Sequence, residues 1–396
     1  MTQGWKVVIA LFLAGVVVYG GGLYCFVLFV TPLTDEFHWT RAQTGGMVSA
    51  FWLTAPLIVF GGYFTERFGA RKLLVAGVLL EALCVALLST VGGLWQMYLL
   101  RAAMGFGKLL FAITIPVTLS AWFTRGFSLA LGIAWAGWHV GGMVLSPVVA
   151  AIIDRFGWRG ACLALAAGLV AIGLLPILWA VRTPSTQAGN APEPMERERF
   201  RLGTVLRAPV FWLIALATLF FYTTYGGLLA HQAAIVEAAG YSLRTASLVL
   251  GLTAAFAAFG APAIGWALDR FRLTPSAVAL HGLLLAGAVL LLLIGHWPSM
   301  AALVVYAACF GTMIGASDVF FVALMRRAFP GVAMSHLYSV WYCVELSVLF
   351  ASPIAAGWIF DLSGGYRATL LVLTASAALA GLATTAAMLR TRARAA

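Results

Sequence analysis

Apolar runs long enough to cross a bilayer as helix, about 20 residues for some 30 Å of hydrocarbon, recur from one end of this chain to the other. Only short charged or Pro/Gly-containing turns separate them. Inside hydrocarbon each backbone N–H and C=O must be satisfied within the segment, so a run of this kind is read as a spanning helix. Composition agrees: of 396 residues 63% are hydrophobic and 9% charged, too little polar surface to cover a soluble globule of this size. The first run starts after Lys6 and continues past Tyr19, Gly20 and Gly21 to Pro32. It is longer than a leader's apolar core and has no small-residue cleavage site, so a retained helix is expected. The cysteines Cys25, Cys84, Cys162, Cys309 and Cys343 lie in apolar runs without CxxC or ligand spacing. They read as core residues, and no metal site or cofactor is expected.

A formal charge of +11 raises the question of nucleic acid, which would require basic residues gathered on one face or arm. Here they sort by loop. Alternate loops and the two tails hold Lys6, Arg67, Arg71, Lys72, Arg125, Arg182, Arg197, Arg199, Arg201, Arg207, Arg270, Arg272, Arg326, Arg327, Arg390, Arg392 and Arg394. The opposite loops hold only Arg41, Arg155, Arg159, Arg244 and Arg367. The positive-inside rule then puts both termini in the cytoplasm of an inner-membrane protein and requires an even number of spans. No nucleic-acid partner is expected. Arg101 and Lys108 remain, inside an apolar run.

The chain also repeats itself at an offset of about 203 to 208, a device that membrane carriers use to build two related halves. Tyr19, Gly20 and Gly21 recur as Tyr225, Gly226 and Gly227, and Gly62, Glu66 and Arg67 recur as Gly265, Asp269 and Arg270. Ser146, Pro147, Asp154, Gly157, Trp158 and Arg159 recur as Ser352, Pro353, Asp361, Gly365, Tyr366 and Arg367. Between the copies lie Pro184, Gly189, Pro192, Pro194 and a charged run from Glu193 to Arg201, a polar linker. The expected domains are therefore a six-helix bundle over 1–181, a cytoplasmic linker over 182–208 and a second bundle over 209–396.

The stretch Gly62, Tyr63, Phe64, Thr65, Glu66, Arg67, Phe68, Gly69, Ala70, Arg71, Lys72 resembles the GxxxDRxGxRK loop of the major facilitator superfamily, with Glu for Asp. Arg101, Gly105 and Gly107 are similar to its RxxxGxG pattern on the fourth span. Within the superfamily the chain resembles the monocarboxylate porter and oxalate:formate antiporter branch. That likeness rests on the run from Tyr19 through Pro32 to Trp39 and Arg41, and on Trp122, Phe123, Arg125, Leu129, Ala130, Gly132 and Gly137. The resemblance implies an all-α membrane protein of twelve transmembrane helices in two pseudo-symmetric six-helix bundles, a monomer, with the fourth span lining a central cavity. It also implies a gate latch at Glu66 and Arg67, where the bland alternative is a charged turn. Asp269 and Arg270 are a degenerate counterpart lacking the following glycine, and Asp154 and Asp361 are latch or capping residues. The cation that porters of this branch carry on the eighth span is missing here.

A charge near the bilayer centre is expensive enough to be a functional candidate by default. Lys108 falls near the middle of the fourth span, and Arg101 lies about two turns away on nearly the same face. The pair forms a cationic stripe suited to a substrate carboxylate, unless it bridges to an acidic side chain. His139 and Glu345 stand at matching repeat positions, eight residues before Pro147 and Pro353. Glu345 is the expected proton carrier, while His139 is a substrate contact or a packing residue. Glu81, midway along a third span that this fold places at the periphery, is a second proton candidate. Asp318 and His231 are gate or packing candidates. Tyr19 and Tyr225, at matching mid-helix positions, are substrate contacts or packing aromatics.

These residues suggest a secondary carrier, not an enzyme, moving a small organic anion, with a monocarboxylate as the first expectation, coupled to protons by alternating access. The alternative is proton-driven efflux of an amphipathic or cationic compound. Against it stand the cationic fourth span and the glycines Gly137, Gly141 and Gly142, which no proline directly follows.

Overall fold

The computed structural model describes residues 2–39, 41–182, 202–271 and 273–395, all helix or connecting turn with no strand among them. They fall into two compact units, Met1–Met195 with Met334–Ser339, and Glu196–Ala333 with Val340–Ala396.

In the first unit, α1 (Gln3–Tyr19) does not run straight through its apolar stretch. At Gly20, Gly21 and Gly22 it widens into a π-helical segment, Gly20–Tyr24, then tightens into a 3-10 turn, Cys25–Phe29, before α2 (Val30–Phe37). Absent side chains explain the place of the break. A Cβ on Gly20 would sit 2.6 Å from the backbone carbon of Gly141, so the two helices meet backbone to backbone. The second span is α3 (Arg41–Trp52), a 3-10 turn (Ala55–Phe60) and α4 (Gly61–Phe68). Gly69, at φ 80°, then turns the chain into α5 (Ala70–Leu88). Next come α6 (Leu94–Trp122) and α7 (Phe127–Gly168), which bends at Gly157 (φ 69°, ψ 172°). A second π segment, Leu169–Leu174, and α8 (Leu175–Ala180) follow.

The second unit holds α9 (Leu202–Leu206), α10 (Pro209–Ala238), α11 (Leu243–Arg270), α12 (Leu273–Ile294), α13 (Met300–Ala328), α14 (Met334–Ser363) and α15 (Tyr366–Ala395). The first six residues of α14 cluster with the first unit. Most of the expected linker, including Pro184, Gly189, Pro192, Pro194 and the run from Glu193 to Arg201, lies outside the described residues.

Nine helical stretches among the described residues are long and apolar enough to cross a membrane, against twelve expected. The difference has three local causes. The second span is broken into short pieces, α5 carries Arg71, Lys72 and Glu81 within 19 residues, and residues 127–180 hold two expected spans joined at the Gly157 bend.

Glycine contacts set the closest packing. Gly77 on α5 and Gly107 on α6 face each other, each an added Cβ's 2.6–2.7 Å from the other's carbonyl oxygen. Gly105 lies against the carbonyl of Phe51 on α3. In the second unit Gly311 on α13 meets the Thr253 carbonyl of α11 in the same way, and Gly260 and Gly315 extend that seam. Gly105 and Gly311 are equivalent under the repeat, so one packing device serves both units.

Candidate functional site

Two helical turns separate Arg101 and Lys108 on α6, and both side chains are buried, at 0% and 2% exposure. Arg101 donates from Nη1 to the carbonyl of Gly22 in the π segment at 2.7 Å, and from Nε to the carbonyl of Met47 on α3 at 3.3 Å. Its guanidinium lies 3.6 Å from the ring centre of Phe26 and 4.6 Å from that of Phe51. The Lys108 ammonium stands 4.5 Å from the ring of Trp52 and 5.0 Å from that of Tyr19. Tyr19 in turn stacks on Trp138 of α7 at 3.9 Å and 9°. Aromatic faces attract a cation most strongly where water is excluded, so these rings favour a buried ammonium.

Glu81 points inward from the third span: its carboxylate has no exposure at all, while Leu79, Leu83 and Leu87 of the same helix are exposed. The charges acting on it are those of Arg101 and Lys108. Room for it comes from Gly22, because a Cβ there would run into Glu81 Oε1. The structure therefore gathers Glu81, Arg101, Lys108 and Tyr19 into one cluster. His139, beside Trp138 on α7, is half-buried and makes no described hydrogen bond to that cluster. Trp52, Phe51 and Phe26 were missed by the sequence reading, whose only available signal was an aromatic at mid-span.

A second polar cluster occupies the other unit. Tyr222, fully buried on α10, donates to Asp318 Oδ1 at 2.6 Å, and Ser317 donates to the same oxygen at 3.2 Å. Glu345 on α14 is 3% exposed, and its charge and that of Asp318 both act on the Tyr222 phenol. Trp341 donates from its indole to Thr218 at 3.0 Å and stacks near Phe321. Tyr225, half-buried, sets its ring against Tyr222 and Phe310. Tyr222 was also missed, although it lies one turn before Tyr225 on the same helix. Asp318, a gate or packing candidate, has a short charge-assisted bond to a buried phenol within its own unit. His231 approaches the carbonyl of Pro353 through Nε2 at 3.1 Å and the Tyr366 hydroxyl through Nδ1 at 3.3 Å. A carbonyl only accepts, so Nε2 is the donor to Pro353.

At the ends of the spans the gate candidates meet separate partners. Glu66 reaches His336 Nε2 at 2.8 Å, while Arg67 donates to the Tyr63 hydroxyl at 2.9 Å. Gly62 makes this contact sterically feasible, since a Cβ there would enter the His336 ring. Asp269 is felt by Arg326 and Arg327 of α13, and Arg270 turns toward the ring of Trp266. Arg327 donates to the carbonyl of Leu268 at 3.1 Å.

Beyond the first span, Glu36 forms a two-pronged pair with Arg159 at 2.7 and 2.8 Å and accepts from the Trp158 indole at 2.7 Å. Hydrogen bonds from Arg159 and then Trp158 hold its carboxyl below the usual carboxylate range. A carboxylate whose folded pKa is depressed contributes above its unfolded value, about 4.3, and that contribution is lost as pH falls through the lower folded value. Glu36→Gln is accordingly expected to narrow the gap between melting temperatures at neutral and acid pH. The check is a thermal melt series across that window, in which an unchanged gap would show the tie contributes nothing.

Buried cations on one helix, facing aromatics and a carboxylate within an all-helical frame of two related units, describe a carrier. The sequence profile of the Major Facilitator Superfamily matches residues 11–350. The chain belongs to this superfamily. Human monocarboxylate transporter 11 is 28% identical over 383 residues, covering 93% of this chain and 79% of that protein. The oxalate:formate antiporter of Oxalobacter formigenes is 27% identical over 238 residues, 59% of this chain and 55% of its own. Among solved structures, the E. coli fucose:proton symporter superposes with a TM-score of 0.74 at 14% identity, covering 96% of this chain and 97% of its own. A proton:xylose symporter bound to 6-bromo-6-deoxy-D-glucose gives 0.77 at 13% identity, covering 96% and 94%. At such identities the structural likeness speaks for the fold alone. The chain is thus a multi-pass major facilitator transporter related to carriers of small organic anions, not an enzyme.

Proposed function

We propose that this transporter moves a small organic anion, a monocarboxylate in the first instance, across the inner membrane together with protons by alternating access. The observation that carries the reading is the Lys108 ammonium, 2% exposed and held between Tyr19 and Trp52. An intramembrane cation is the natural partner of a carboxylate. The named relatives, monocarboxylate transporters and an oxalate:formate antiporter, support an anionic substrate. Lys108 anchors the carboxylate, with Arg101, His139, Tyr19 and Tyr225 as further substrate-side residues. Glu345 carries the coupled proton, neutralising the second unit's charge as the anion enters and letting the site change access. Glu66, Arg67, Asp269, Arg270 and Asp318 act in gating. The bundles are those of residues 1–181 and 209–396, joined through 182–208, with both termini cytoplasmic in a monomer.

Uptake into proteoliposomes of a carboxylate panel, compared with a cationic dye panel, with and without an inward proton gradient, tests the reading. Carboxylate uptake driven by the gradient is expected, and transport of dyes alone would refute it. Glu345→Gln is expected to remove the response to the gradient while counterflow exchange continues. Unaltered proton-driven accumulation would take Glu345 out of this role.

A further inference from the structure

Glu81 has no exposure, and neither of its carboxylate oxygens has a hydrogen-bond partner among the described residues. Its surroundings can be enumerated by element. From α6, Arg101 and Lys108 act on it electrostatically. Its own helix contributes the Cys84 thiol one turn on. The π segment sets the Cα of Gly22 against Oε1, and the second π segment meets α5 through Gly173 and Val78, which carry no charge. Among the described residues no charged neighbour acts on His139, which lies mid-membrane on α7.

Arg101 nevertheless directs its donors elsewhere, to the carbonyls of Gly22 and Met47. A guanidinium beside an ionised carboxylate prefers it to neutral carbonyls, because hydrogen bonds between charged partners are roughly twice as strong. The observed arrangement is therefore that of a neutral Glu81. In it, Arg101 ties the π segment of the first span and α3 to α6. A π segment is a rare, locally irregular turn that frequently lies at a functional site, which gives the tie something to hold.

We infer that Glu81 is a proton-coupling residue: its bound proton leaves Arg101 on the carbonyls of Gly22 and Met47, and loss of that proton draws Arg101 to Glu81 and releases the first span at Gly20–Tyr24. One proton is exchanged with water at the Glu81 carboxyl, and no covalent step is involved. Glu81 acts through Arg101, as a positioning residue, and a bistable element of this kind is what a bound proton can bias. The inference rests on membership of a transporter family and not on the anion reading, so each can fail alone.

Hydrogen–deuterium exchange on the full chain, without substrate, at about pH 5.5 and about pH 8, reads the local opening of the segment. After allowance for the intrinsic pH dependence of exchange, the amides of Gly20–Tyr24 are expected to lose roughly tenfold protection at the higher pH, the factor that one charged hydrogen bond carries. Glu81→Gln should hold the segment protected alike at both values, and Glu81→Asp should restore the pH dependence. Equal protection in the wild type at both values overturns the inference, as does a Gln variant that keeps the wild-type dependence. Should Glu81→Gln not fold, the wild-type comparison decides together with Arg101→Lys, which lacks the fork and is expected to exchange fast and alike at both values. A pH dependence persisting in Arg101→Lys overturns it equally.

Discussion

Lys108→Gln is expected to abolish carboxylate uptake while leaving a folded protein. Removing one partner of a desolvated charge pair costs about 2–5 kcal/mol, which corresponds to roughly thirtyfold or more in apparent affinity. Two opposing effects decide whether the fold survives. The variant loses cation–π attraction to Trp52 and Tyr19, about 2 kcal/mol where desolvated. It also sheds the penalty of burying an ammonium, which is of at least that size. The balance leaves stability near its starting value, so a thermal melt within a few degrees of wild type should accompany the lost uptake. Lys108→Arg separates charge from shape. A planar fork does not match a site built for a compact ammonium between two rings, and partial uptake at most is expected. Full carboxylate uptake by Lys108→Gln would end the anchor role whatever the melt shows.

Much of the architecture was legible because a bilayer allows few solutions to a chain of recurrent apolar runs. Arg101 and Lys108 stood out by contrast with their surroundings, and their spacing of two turns placed them on one face without any structure. The neighbours of those residues were not legible. A span that is apolar almost all round carries little information about which face meets which partner, so the neighbours of Glu81 could not be named. Its burial depends on the missing side chain of Gly22, 59 positions earlier, letting the carboxylate in. The Tyr222–Asp318 bond joins residues 96 apart in sequence. Likewise the contact of Glu66 with His336 had no local signature, since the two lie 270 positions apart. The 3-10 turn that breaks the second span follows from Pro56 at the start of Ala55–Phe60, a single proline within an otherwise spanning stretch.

Gly105→Val is expected to remove most folded protein, and Gly105→Ala to destabilise it, against the usual sign of a glycine-to-alanine change in a helix. That change ordinarily stabilises by about 0.5–1 kcal/mol, because glycine surrenders more backbone freedom on folding. At Gly105 the added Cβ would strike the carbonyl oxygen of Phe51, a backbone atom that cannot rotate away, so α3 itself would have to move. Overpacking of this kind costs about 1–3 kcal/mol or more and exceeds the backbone gain. Gly282 on α12 supplies the contrast: nothing lies within 4 Å of its added Cβ, and Gly282→Ala should raise the melting temperature. If both alanine variants move the melt in the same direction, the contact between α3 and α6 is not the tight packing described above. The same displacement reaches the site. Phe51 places its ring 4.6 Å from the Arg101 guanidinium, and Met47, one turn earlier on α3, accepts from Arg101 Nε. A shift of α3 large enough to admit one methyl group therefore loosens Arg101 as well. Gly105→Ala should lose transport out of proportion to its modest loss of stability, and uptake measured per folded molecule is the quantity that shows it.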